Sequence, residues 1–103
     1  MPRRIRWVKV ALADLDEIAE YITQSNPAAA KKVAKCIWEA THLLSEHPGM
    51  GRTGRVSGTR ELVVVGTPYI VPYRVKGDTV EILRVIHAAR KWPRTFNRSD
   101  ESV

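Results

Sequence analysis

Over residues 11–25 the apolar positions recur at spacings of three and four, with Leu12, Leu15, Ile18, Ala19 and Ile22 on one stripe. That period predicts a helix buried along one side. Asp14, Asp16, Glu17 and Glu20 fall early in this segment or on its solvated side, and acids near a helix start suit its positive dipole end. Ser25-Asn26-Pro27 then stops one helix and starts another. Asparagine is a good N-cap, and proline fits the first helical position because its missing N–H would be unpaired there anyway. The second helix is predicted over residues 27–47, with Ala30, Val33, Ile37, Ala40 and Leu44 as a narrow apolar seam and Lys31, Lys32 and Lys35 outside it. So short a link between two amphipathic helices predicts an antiparallel hairpin, and His47-Pro48-Gly49 ends it.

A different pattern governs the rest of the chain. Residues 4–10 partly alternate apolar and polar, which predicts a short first strand. Residues 48–58, with four glycines, are loop by composition. Residues 59–65, 69–75 and 79–87 are rich in Val, Ile and Tyr and are separated by Gly66-Thr67-Pro68 and Lys76-Gly77-Asp78. They predict three strands of an antiparallel meander. Pro72 lies inside the middle strand and cannot donate to a ladder, so it marks an edge, a bulge or a ladder defect. The expected fold is α+β: a first strand, a helical hairpin, then three strands, all strands in one twisted sheet with the hairpin on one face. Residues 1–93 are read as a single domain and residues 94–103 as a flexible tail.

Composition narrows the classes. A chain of 103 residues with 44% hydrophobic and 27% charged positions is one ordinary globular domain. No apolar run approaches the roughly 18 to 20 residues needed to span a membrane. The basic start is not followed by a signal-peptide core and cleavage site. The single cysteine, Cys36, excludes an internal disulfide and any zinc-type cysteine spacing. The cytoplasm is the expected location. The net charge of +6 is unevenly placed: residues 11–48 carry three lysines and six acids, whereas residues 49–98 carry ten cations and three acids. A basic second half suits a polyanion or an acidic protein partner, or simply solubilises the chain.

Several side chains invite chemistry. Gly49-Met50-Gly51-Arg52-Thr53-Gly54 spells G-x-G-x-x-G, but the dinucleotide fingerprint needs a strand before it and a helix after it. Here the order is reversed, so the match is read as accidental and the glycines as turn formers. Arg52 and Arg55 on this loop are either contacts for an acidic partner or solvated charge. Cys36 reads as a small helical hydrophobe. His42 and His47 read as surface packing or complements to the helix end, without the ligand spacing of a metal site. His87 closes the last strand within Arg84-Val85-Ile86-His87-Ala88-Ala89-Arg90. There it is either a general base near phosphate-holding arginines or a strand-end residue bonded to backbone. Tyr69, Tyr73, Trp7 and Trp92 are of a type that stacks bases, and equally of a type that fills cores.

From Trp7 to Trp92 the sequence resembles the RelE/ParE superfamily of toxins from type II toxin–antitoxin modules. The resemblance is carried in order by Ala13-Asp14-Leu15-Asp16-Glu17-Ile18 with Tyr21-Ile22, then Asn26-Pro27-Ala28-Ala29-Ala30 and Glu46-His47-Pro48-Gly49-Met50-Gly51-Arg52. It continues through Gly58-Thr59-Arg60-Glu61-Leu62-Val63-Val64, Pro68-Tyr69-Ile70-Val71-Pro72-Tyr73-Arg74-Val75 and Val80-Glu81-Ile82-Leu83-Arg84-Val85-Ile86-His87. It implies a helical hairpin on a twisted antiparallel sheet. It also implies a small bacterial toxin neutralised, in a hetero-oligomer, by an antitoxin encoded beside it. Such antitoxins have a DNA-binding half and a segment that wraps the toxin, and the basic second half here suits an acidic wrapping peptide.

The resemblance splits on the target. RelE-like members cut messenger RNA on the ribosome, using basic residues of the central strands, a further Arg and often a terminal Tyr or His. ParE-like members share the fold, lack that set and poison DNA gyrase. This chain has Glu61-Leu62-Val63-Val64 where RelE-like members place lysines, Tyr69-Ile70-Val71 where they place an Arg, and no Tyr after the last strand. Losing a transition-state cation costs a nuclease on the order of 3 kcal/mol, so the ParE-like reading is favoured. If the chain is instead a nuclease, its candidates are Glu61, Arg84, His87 and Arg90. Candidate contacts to antitoxin or target are Arg52, Arg55, Arg60, Tyr69, Tyr73, Arg74, Arg84 and Trp92. No cofactor, metal or membrane contact is expected. A third reading is a module partner that binds its antitoxin and harms nothing. The nuclease reading requires His87, Glu61 and two arginines to meet in a common pocket.

Overall fold

The computed structural model describes residues 2–96. Its elements are β1 (Arg4–Trp7), α1 (Lys9–Thr23), α2 (Pro27–Leu43), β2 (Arg52–Thr53), β3 (Arg60–Val63), β4 (Tyr69–Lys76), β5 (Thr79–Ile82) and β6 (Ile86–His87). The helical hairpin forms as its pattern predicts. Asn26 caps α2 by accepting the Ala29 N–H at 3.1 Å, with Pro27 in the first turn. Ala30, Ile37 and Leu44 of the seam are buried, and Val33 and Ala40 pack on the core. Two ends differ from expectation. Helix α1 begins at Lys9, taking the end of the predicted first strand, and α2 gives way to turns after Leu43.

The sheet runs β1-β5-β4-β3-β2, with β6 also on β4. The three predicted meander strands pair antiparallel, but β1 lies parallel to β5, which makes the sheet mixed. The expected loop over residues 48–58 also contributes a strand, the two residues of β2, paired to β3. Directly opposed residues share a face. Ile5, Trp7, Leu62, Val71, Tyr73, Val80 and Ile82 therefore face one way, and they form the core with Ala11, Ile37 and Leu44 of the helical hairpin. Arg6, Glu61, Pro72, Arg74 and Glu81 point from the opposite, outer face.

Pro72 proves central. It lies in the middle strand, opposite Glu61, and its carbonyl accepts the Leu83 N–H at 3.0 Å. In a ladder the N–H and C=O of one residue point to the same neighbour, so the missing Pro72 donor also faces this site. There the predicted strand 79–87 breaks into β5 and β6. Tyr73 pairs with Ile82 and Ile70 with Ile86, so two residues of β4 face three residues, 83–85, on the other side. That is a one-residue bulge. The N–H of Val85 leaves the ladder and donates instead to Asp14 Oδ2 of α1 at 2.9 Å.

Candidate functional site

Two of the three acids of the basic half, Glu61 and Glu81, are internal anchors. Glu61 is 2% exposed. Its carboxylate accepts from Arg52 Nε and Nη2 (3.2 and 3.0 Å) and from the Arg55 backbone N–H, Nε and Nη2 (2.8, 3.1 and 3.4 Å). Burial alone would push its pKa up. The Arg55 backbone N–H and the two guanidiniums outweigh this and hold the carboxyl below the usual glutamate value. A carboxylate with five donors on it is an ionised structural anchor, poorly placed to take a proton from a substrate. Glu81, buried beside Arg74 Nε at 2.6 Å and Arg6 Nη2 at 3.7 Å, repeats the arrangement. Arg84 is likewise engaged: its Nε and Nη2 reach the two Asp14 oxygens at 2.7 and 3.1 Å, tying α1 to the bulge. The acids of α1 were expected early in the helix or on its solvated side; Asp14 also carries this clamp.

Tyr73, expected among the contact residues, is wholly buried. Its hydroxyl donates to the Pro48 carbonyl at 2.7 Å and accepts the Gly51 N–H at 2.9 Å. Burial raises its pKa despite that N–H and the nearby Arg60. Arg60 Nη1 donates to the Gly51 carbonyl at 2.8 Å from the same side. A Cβ on Gly51 would lie 2.6 Å from the Tyr73 ring and 2.9 Å from the Glu61 carbonyl oxygen. This glycine of the G-x-G-x-x-G string therefore serves close packing and not a phosphate.

His87 sits elsewhere. Its Nδ1 accepts the Ala89 N–H at 3.1 Å, and its ring stands edge-on to Tyr69 at 5.6 Å. Burial raises the Tyr69 pKa, against the nearby Arg90 charge, and the Arg90 N–H donates to the His87 carbonyl at 3.0 Å, so Tyr69, His87 and Arg90 share one end of the molecule. Glu61 is not among them. β3 and β6 flank opposite edges of β4, with Glu61 opposite Pro72 and His87 opposite Tyr69. Two strand spacings and three residues separate them by roughly 10 Å in each direction. They also point to opposite faces, so the common pocket of Glu61, His87 and two arginines is not assembled. Trp92 lies under the Arg55 guanidinium, 3.7 Å from its carbon. The His42 Nδ1–H donates to the Trp38 carbonyl at 2.8 Å, in keeping with surface packing. Among the described residues, no group of three or more His, Cys, Asp or Glu is placed to hold a metal ion.

A different surface was not singled out by sequence. A groove of about 660 Å³ runs between α2 and β3, lined among others by Cys36, Ala40, Leu43, Met50, Val63 and Val65. Leu43, Met50, Val63 and Val65 are 55%, 44%, 46% and 89% exposed, four of the seven large exposed hydrophobics among the described residues. Among the described residues, β2 pairs only with Arg60 and Glu61, and the edge of β3 beyond them faces this groove unpaired. The available signals were Leu43 lying beside the helix seam and a Val63–Val65 run too apolar for a strand with one wet face.

A helical hairpin on a mixed sheet of this order defines a class. The structure superposes on a toxin–antitoxin structure titled chromosomal ParDE system from P. aeruginosa, with a TM-score of 0.77, 33% identity and coverage of 82% of this chain and 95% of that one. It also matches the RelBE2 toxin–antitoxin complex of Mycobacterium tuberculosis, with a TM-score of 0.62, 26% identity and coverage of 84% and 99%. This is the fold of the RelE/ParE toxin superfamily. Residues 5–92 match the family described as ParE toxin of type II toxin–antitoxin system, parDE, and the chain belongs to that family. It is 50% identical over 94 residues to Y4kP of Sinorhizobium fredii, provisionally named a toxin, covering 91% of this chain and 97% of that protein. It is 42% identical over 87 residues to Toxin RelE2 of Caulobacter vibrioides, covering 84% and 97%. No helix among the described residues is long and apolar enough to cross a membrane.

Proposed function

We propose that this type II toxin acts by binding DNA gyrase and that its antitoxin masks it by laying an acidic segment with one apolar face into the α2–β3 groove. The observation that supports a binding role is the separation of Glu61 from His87 on opposite faces of the sheet, with Glu61 and Arg84 both engaged internally. What is left is a surface of half-exposed cations and apolar side chains, suited to adhesion. The purified chain is expected to inhibit gyrase supercoiling, or to trap cleaved DNA, at concentrations that leave cell-free translation unaffected. His87→Ala should change that inhibition less than twofold. The ribosome-dependent nuclease is the second reading, favoured by the Tyr69, His87 and Arg90 grouping. Under it, translation stops, primer extension shows codon-positioned cuts, and His87→Ala abolishes them.

The groove supplies its own test. It is largely apolar and open, with Arg52, Glu39 and Glu61 among its lining, so an apolar stripe on the partner fits it, and the net charge of +6 on the chain as a whole suits acidic flanks. Leu43→Glu and Val65→Glu place a charge in the apolar lining and are each expected to weaken antitoxin affinity at least tenfold. Since both positions are exposed, the melting temperature should hold. Unchanged affinity in a titration with the antitoxin would move the antitoxin's seat elsewhere.

A further inference from the structure

The outer face of the sheet carries Glu61, Pro72 and Ile70 from β3 and β4 and Ile86 from β6, yet all four are buried. Since the helices pack on the other face, something else covers this one. The contacts identify it. Glu61 holds Arg55 through the Arg55 backbone N–H and both ends of its guanidinium fork. The guanidinium in turn lies 3.7 Å from the centre of the Trp92 ring. Trp92 is therefore drawn to the side on which Glu61 points. The segment that carries it starts from the Ala88 N–H bonded to the Pro68 carbonyl at 2.8 Å and continues to Phe96, which packs on the core.

We infer that Glu61 is a positioning residue for the C-terminal segment: it orients Arg55 flat against Trp92 and so straps the stretch around that ring against the outer face of the sheet. A guanidinium held at two nitrogens has a fixed plane, and its open face stacks on an indole. An arginine without the carboxylate would sample many rotamers at this half-exposed position. The strap is a weak one by construction. Among the described residues the buried Trp92 Nε1–H has no hydrogen-bond partner, which favours release of the ring to water. The consequence is spatial: Arg90, Lys91 and Arg94, all exposed on the strap, are presented in a set place while the latch is closed and scattered when it opens. This holds whichever target the toxin binds.

The test uses the full chain. Protons of the Arg55 side chain above an indole experience a ring-current shift to high field in the NMR spectrum. The shift should vanish in Trp92→Leu, where the ring is gone, and collapse in Glu61→Gln, where the ring remains but the orienting charge does not. Trypsin should cut after Lys91 and Arg94 at least tenfold faster in Glu61→Gln and Arg55→Ala than in the parent chain, with the amide spectra of α2 and β4 unchanged. If Glu61→Gln does not fold, Arg55→Lys decides: it keeps the charge and the backbone bond but loses the fork, and cleavage after Lys91 should still quicken. A high-field Arg55 shift that survives in folded Glu61→Gln overturns the inference, as does cleavage no faster in Arg55→Ala and Arg55→Lys than in the parent.

Discussion

Tyr73→Ala is expected to cost about 3–5 kcal/mol of folding stability, a large share of the roughly 5–15 kcal/mol that a domain commands. Tyr73 heads the largest fully buried side chains, at the centre of β4, and its ring fills the space between the sheet and the start of the loop after α2. Its loss leaves a cavity bordered by Gly51, whose missing Cβ is what lets the ring in. It also strands the Gly51 N–H and the Pro48 carbonyl that the hydroxyl serves. Tyr73→Phe isolates the second effect, since the ring stays and only the hydroxyl goes. It should cost about 1–3 kcal/mol, the range for leaving buried polar groups unpaired. Urea denaturation followed by circular dichroism measures both, and an unchanged slope with a lower midpoint would locate the effect in the native state.

Asp14→Ala is the second large effect, about 2–4 kcal/mol. One carboxylate accepts three bonds: two from the Arg84 fork and one from the Val85 N–H at the bulge. The Arg84 side chain is about a third exposed, so water recovers part of its loss. The bulge N–H has been turned out of the ladder by the extra residue and has no ladder acceptor to return to. Asp14→Asn keeps an oxygen for Val85 but removes the charge facing Arg84, and should cost about half as much. If both variants unfold at the parent midpoint, the clamp between helix and bulge is not holding the sheet together. Hydrogen exchange at the Val85 amide gives the local readout. It should rise in Asp14→Ala well before exchange rises in β4.

Much of the architecture is legible in the chain because its causes are local. The three-and-four spacing from Leu12 to Ile22 and from Ala30 to Leu44 marks both helices. Asn26-Pro27 marks their junction, and the runs of Val, Ile and Tyr mark the meander. Those are properties of a few neighbouring residues, whose side chains choose a period and a cap whatever the rest of the molecule does. The RelE/ParE resemblance rests on the same stretches, and the family match confirms it. The parallel seat of β1 beside β5 has no such local cause. Nor does the groove of Leu43, Met50, Val63 and Val65, which are scattered in sequence and joined only when α2 lies beside the edge of β3.

The candidate chemistry turned on one residue of register. In an unbroken strand over residues 79–87, His87 would share a face with Glu81, and through the pairing of Glu81 with Arg74 it would share that of Glu61. The types required for acid–base work would then lie on a single surface. The bulge opposite Pro72 inserts one extra residue, so His87 pairs with Tyr69 and turns to the helix side. Sequence alone determined which residue types the chain owns, where its two helices and most of its strands lie, and that Pro72 must disturb a ladder. The tertiary structure decided where that disturbance falls and which face each later side chain takes. Strand parity is a property of the pairing, and it reverses at a single inserted residue.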